Sequence, residues 1–156
     1  MKNKETTLLI IKKENKILLA RKKRGFGLGK WNGIGGKIEE NETPEEAMIR
    51  ETEEEIFATP IDLKKIGIMH FIEYDTEEQT NVNMHLYVAT KIKGIPKESN
   101  EMLPEWFSID NLPWEEMFED VKYWLPYLLQ EKEIEGYFEY DKNWKMLKHV
   151  IEEQKQ

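Results

Sequence analysis

Glu51, Glu54 and Glu55 stand at i, i+3 and i+4, so a helix through them presents three carboxylates on one face. Like charges on adjacent turns repel, and a helix that serves only the fold gains nothing from stacking them. Hard divalent cations reverse that sign, because Mg²⁺ and Mn²⁺ prefer oxygen ligands. The chain must therefore deliver a short acidic helix to a place where a metal can assist attack on a phosphate chain. The competing reading is a solvated Glu-rich helix, which is common in a chain with 35% charged residues.

Local signals frame this helix. Thr43 is a good N-cap, Pro44 suits the first helical position, and Glu46 completes a capping box. Ala47, Met48 and Ile49 supply apolar contacts. Gly35-Gly36 permits backbone angles denied to other residues, and a tight turn there could aim a carbonyl oxygen at a metal. Arg50 can pair with Glu42 and hold the acidic face in register.

The remaining bounds suit a small enzyme. A chain of 156 residues is one domain, long enough for a proper core. Its net charge of −8 argues against a nucleic-acid polymer or an anionic membrane surface as partner. Disulfide and thiolate chemistry are excluded by the lack of cysteine. His70, His85 and His149 are scattered and lack zinc-ligand spacing. The N-terminus has no signal-peptide pattern, and no apolar run approaches the ~20 residues of a membrane span. A soluble, cytoplasmic monomer is the expectation.

Along the chain, 6–12 and 16–21 read as a hairpin, as do 64–73 and 82–91 around a polar loop. In the last of these, Val82, Met84, Leu86 and Val88 alternate with polar residues, as a half-buried strand requires. Residues 105–109 read as a short strand. Apolar residues from Trp114 to Leu129 recur at helical spacing, which predicts one amphipathic helix over 114–130, bent at Pro126. Residues 136–141 and 145–151 complete a last hairpin. Strands on both sides of two helices predict an α/β sandwich around a mixed sheet.

Residues 36–58 resemble the Nudix box, G-x5-E-x7-R-E-U-x-E-E-x-G-U with U apolar. Gly36, Glu42, Arg50, Glu51, Glu54 and Glu55 match it. Thr52 stands where an apolar residue is usual and Phe57 where glycine is usual, so Phe57 implies a different backbone path after the helix. Beyond the box, 21–37, 98–107, 117–130 and 136–140 are similar to the oxidised-purine nucleoside triphosphatases, the 8-oxo-dGTP diphosphatases of the MutT type. The resemblance runs from about Thr6 to Asp141. It implies a Nudix α/β/α sandwich, a Mg²⁺ cofactor that Mn²⁺ could replace, and hydrolysis of a nucleoside triphosphate to monophosphate and pyrophosphate.

Residue by residue, the resemblance implies metal ligation by the Gly35 carbonyl, Glu51, Glu54, Glu55 and Glu101. One of Glu51 or Glu55 would take the proton of the attacking water, and Arg50 would orient it. Lys22 would reach the phosphates or sugar. Asn32 would bond the base edge and Asp120 its N–H groups. Thr7, Phe26, Phe71, Met102, Phe118 and Trp124 would wall the base pocket. Without the resemblance, Phe118, Trp124 and Met102 read equally well as core, 21–24 as a solvated basic patch, Asn32 as a turn residue and Glu101 as a plain loop acid.

One departure touches specificity. The mammalian members of that family carry a tryptophan and two adjacent aspartates where this chain has Phe118, Asp120 and Val121. Paired aspartates can share a proton and so donate or accept. A lone Asp120 loses that versatility. The sequence therefore points to pool sanitation of oxidised or modified purine triphosphates. A Nudix hydrolase of dinucleoside polyphosphates or ADP-ribose is the alternative enzyme, and a non-catalytic nucleotide sensor the alternative class.

Overall fold

Leu8, Leu9, Ile10 and Ile11 are apolar without alternation, and all four are buried. A strand covered on both faces reads this way. They form the centre of β1 (Lys2–Lys13). Leu8 and Ile10 join a core cluster with Val121, Trp124, Leu125 and Leu128, whereas Leu9 and Ile11 join another with Met48 and Ile56. Helices α1 (Pro44–Ile56) and α2 (Val121–Leu129) thus cover opposite faces of one sheet, the expected α/β/α sandwich. This is a computed structural model that describes residues 2–75 and 77–154, with only the backbone of Asp75.

Beside β1 lie β2 (Lys16–Lys22), antiparallel to it, and β3 (Trp31–Asn32), antiparallel to β2. Strand β4 (Ile34–Lys37) pairs with the middle of β1, from Thr6 to Leu9. A two-stranded sheet of β5 (Thr59–Ile61) and β8 (Lys91–Lys93) follows α1. The main sheet continues through β6 (Lys64–Asp75) and β7 (Glu78–Ala89), with β9 (Met102–Ser108) on β2. Strands β10 (Ile134–Tyr140) and β11 (Met146–Glu153) close its far edge, in the order β11-β10-β6-β7-β1-β2-β3. The sheet is mixed, because β1 runs parallel to β7 and β10 parallel to β6.

Two expectations change. The polar stretch after Glu73 is mostly ladder, with Tyr74 opposite Gln79 and Asp75 opposite Glu78. Backbone pairing does not require apolar side chains, so hydrophobic alternation ends before the strands do; Thr76 lies outside the described residues. The helix expected over 114–130 is two pieces, a 3-10 turn at Trp114–Glu116 and then α2. Met117 separates them with extended backbone (φ −122°, ψ 157°). Apolar side chains three apart fit a 3-10 turn as well as an α-helix.

Helix α1 carries the capping box: the Glu46 N–H donates to the Thr43 hydroxyl at 3.1 Å, and the Thr43 N–H donates to the Glu46 carboxylate at 3.0 Å. Thr52 is fully buried, and its hydroxyl donates to the Met48 carbonyl at 2.7 Å, which reconciles it with an apolar position. Phe57 does not divert the chain. It adopts the left-handed conformation itself (φ 59°, ψ 33°), the one glycine enters freely at a helix end. That conformation costs a non-glycine residue about 1–2 kcal/mol, while glycine costs about 0.4–1 kcal/mol through the unfolded chain. Phe57 is 56% exposed, so little packing opposes the exchange. Phe57→Gly should therefore stabilise the protein by about 0.5–1 kcal/mol in urea unfolding. A destabilised variant would show that the ring contributes more than the strain.

Candidate active site

Gly35 and Gly36 lie within β4, opposite Leu8 and Thr7 of β1. Neither has positive φ among the described residues, so the expected tight turn is a strand, and the need for glycine is spatial. A Cβ on Gly35 would lie 1.9 Å from the Thr7 carbonyl oxygen. A Cβ on Gly36 would lie 2.7 Å from the Glu51 carboxyl. The glycines therefore let β4 close onto β1 on one side and onto the acidic face of α1 on the other.

Arg50 organises that face. Its guanidinium grips Glu42 with Nε and with Nη2 at 2.9 Å, and Nη1 lies 3.0 Å from Glu51 and 3.3 Å from Glu54. Nη2 also donates to the Lys37 carbonyl at 3.2 Å, tying α1 to the end of β4. Arg50 holds the Glu42 carboxyl down at about 2. The folded-state value is depressed, so the clamp's contribution is complete above the ordinary carboxylate range and is lost as pH falls through about 2.

Glu55 is the opposite case. It is buried, and its Oε2 has no hydrogen-bond partner. Burial first, then the facing Glu51 carboxyl, pushes Glu55 well above the usual carboxylate range. Among the described residues no three acidic or histidine side chains already form a metal cage. The donor set nevertheless fits a hard cation: a buried unsatisfied oxygen, a second carboxyl against it, and a glycine at 36 that lets the Glu51 carboxyl lie against the β4 backbone. Glu54 is exposed at the solvent side of this group, and Glu101, on the loop before β9, pairs with Arg24 at 3.0 Å. Lys22 and Glu101 both act on Glu55 electrostatically, which places them at the same end of the site.

A cavity of about 300 Å³ opens from the Gly35–Gly36 edge. Thr7, Lys22 and Asn32 line it, with Phe71 and Met102. The Asn32 side-chain Oδ1 accepts from the Gly33 N–H at 2.8 Å. At the far end, Phe26 stacks on Phe118 with centroids 5.8 Å apart. Asp120 also lines the cavity, buried, with Trp124 Nε1–H donating at 2.7 Å and the Tyr140 hydroxyl at 2.6 Å. Trp124 is not itself a wall residue; it is fully buried behind Asp120 and holds that carboxylate from the core. Val121 is core as well.

Sequence reading missed several wall residues, Trp144, Tyr140 and Glu73 among them. Trp144, in the β10–β11 turn, meets the Phe26 ring at 4.8 Å and the Phe118 ring at 5.9 Å. Tyr140 anchors Asp120, and Glu73 reaches the cavity from β6. Glu73 had one usable signal: it shares a strand face with Phe71, two residues earlier. Trp144 had none, because turns give no periodicity.

The model of the NUDIX domain matches residues 1–128. The chain is 40% identical over 151 residues to an oxidized purine nucleoside triphosphate hydrolase of Danio rerio, covering 97% of this chain and 96% of that one. A protein of the same name from Mus musculus is 38% identical over 147 residues, covering 94% and 93%. The crystal structure of a mutator MutT protein from Bacillus halodurans superposes with a TM-score of 0.84 at 25% identity, over 95% of this chain and 97% of that one.

The two glycines should respond differently to a methyl group. Gly35→Ala meets backbone that cannot step aside and should cost about 1–3 kcal/mol or more. Gly36→Ala meets the tip of a flexible side chain and should cost less than about 1 kcal/mol. Urea unfolding midpoints compare them, and equal losses would contradict this account of β4.

Proposed function

The chain belongs to the Nudix family, and on that premise we propose that it hydrolyses oxidised or otherwise modified purine nucleoside triphosphates to nucleoside monophosphate and pyrophosphate. One observation carries this reading: the aromatic cavity and the acidic face of α1 share a wall at Gly35–Gly36. A base seated beside the stacked Phe26–Phe118 pair would extend its phosphates past Lys22 toward Glu51 and Glu55. The relatives' printed names support the substrate class.

A bound Mg²⁺ or Mn²⁺ would neutralise phosphate oxygens and lower the pKa of a water. The Gly35 carbonyl, Glu51, Glu54, Glu55 and Glu101 would hold it. Arg50 fixes Glu51 through a charge-assisted contact, so the carboxylate enters the reaction already oriented. Glu51 or Glu55 takes the proton of the attacking water. Lys22 offsets phosphate charge, and Asn32 and Asp120 bond the base edge. Thr7, Phe71 and Met102 complete the base walls around Phe26 and Phe118. The protein acts as a monomer on free nucleotides. Among the described residues no helix is long and apolar enough to cross a membrane.

A panel of ordinary and damaged nucleotides, scored for monophosphate and pyrophosphate, tests the reading. Turnover should require Mg²⁺ or Mn²⁺, with Ca²⁺ a poor substitute because it is larger and tolerates loose geometry. Orthophosphate as the main product from a triphosphate would sink the proposal. Glu51→Gln and Glu55→Gln should each lower kcat roughly 10²- to 10⁴-fold with the fold retained. Near-parental turnover of both at saturating Mg²⁺ would show that other groups carry the chemistry.

A further inference from the structure

With Val121 in the core, Asp120 has no acidic neighbour in the chain on that side, yet the cavity contains a second carboxyl from another element. Strand β6 alternates faces, so Phe71 and Glu73 point the same way, and both line the cavity with Asp120. Strand β10 runs parallel to β6 as far as Ile72, which lies level with Glu139. Tyr140 also lines the cavity and bonds Asp120.

The two carboxyls differ in their partners. Trp124 Nε1–H can only donate, and it does so to one Asp120 oxygen. The Tyr140 hydroxyl accepts the Asp120 N–H at 2.9 Å, so its own proton goes to the other Asp120 oxygen. Both oxygens of Asp120 are therefore acceptors already engaged by donors; burial, the larger effect, raises its pKa, and these two hydrogen bonds oppose that by favouring the ionised form. The Glu73 carboxyl has no hydrogen bond or ion pair among the described residues. A second independent feature marks the cavity as built for a polar ligand edge. The Thr7 hydroxyl lines it, is only 2% exposed, and has no hydrogen-bond partner. Buried polar atoms are as a rule satisfied.

We propose that Glu73 selects the base: with Asp120 it forms an acid pair drawn from two elements, Glu73 donating to an acceptor on the purine edge and Asp120 accepting from the adjacent N–H. The edge that fits is that of a 6-keto purine, where a carbonyl oxygen lies beside ring and exocyclic N–H groups. This inference rests on the nucleotide reading above and deepens it. It also replaces the expectation of a lone, less versatile Asp120. Burial, then the Asp120 charge, pushes Glu73 up to about 7 against the pull of Lys4 on β1. The groups facing Glu73 are thus Asp120 ahead of α2, Lys4 on β1, Tyr140 on β10, and the buried Thr80 opposite it on β7.

The test is the ratio of kcat/KM for 8-oxo-dGTP to that for dCTP, followed across pH in the intact protein. The ratio cancels ionisations at the phosphate end that both substrates share. In the parent protein it should fall as pH rises through about 7, where Glu73 loses its proton. Glu73→Gln, whose amide always donates, should abolish that fall. Glu73→Ala should lower the ratio about 5- to 150-fold on the acid side, the effect of an unpaired buried polar group. A parental pH-dependence retained in Glu73→Gln overturns the inference even if the Ala variant fails to fold. A parent that prefers damaged purines while both variants leave the ratio unchanged overturns this inference alone. A parent that hydrolyses neither triphosphate overturns the proposed function with it.

Discussion

The contact of Arg50 with Glu42, Glu51 and Glu54 is the constraint on which the site depends. Carboxylates on one helical face repel, and α1 has no basic residue in its last turn to offset them. One guanidinium supplies the missing charge and, through Lys37, locks the helix to β4. Its planar fork suits two-point contact with Glu42 in a way an ammonium does not. The arrangement leaves Glu55 uncompensated. That is the expected state of a ligand set whose remaining charge comes from outside the protein.

Strand β1 joins the two ends of the site. Leu8 to Ile11 build both cores, while Thr7, one residue earlier, faces the cavity and lies opposite Gly36. A shift of one residue in β1 would exchange its faces and misplace the cavity wall together with the metal end. The base end is braced separately, by Trp124 and Tyr140 on Asp120 and by the rings of Phe26, Phe118 and Trp144.

The acidic end was legible in the sequence because helical geometry imposes local spacing. Capping box, arginine clamp and acid face all lie within sixteen positions or so of one another, where helical geometry is predictable. The cavity was legible only through family resemblance, since Thr7, Asn32, Phe71 and Asp120 come from separate elements. Glu73 and Trp144 escaped because no local rule marks a strand acid or a turn aromatic as facing a cavity. Trp124 was placed on the wrong side of Asp120, because a helical stripe does not say which ring reaches the cavity and which supports it from behind. The glycines were noticed for the wrong reason: their backbone is extended, and close approach of β1 and Glu51 is what excludes a side chain.

The central claim is that the carboxylates of α1 form a divalent-cation site. A calorimetric Mn²⁺ titration of the protein alone, beside Glu55→Gln, tests it most directly. The account predicts that the parent binds Mn²⁺ and that the variant binds it at least about tenfold more weakly while remaining folded. Mn²⁺ binding of equal strength in both proteins would contradict it.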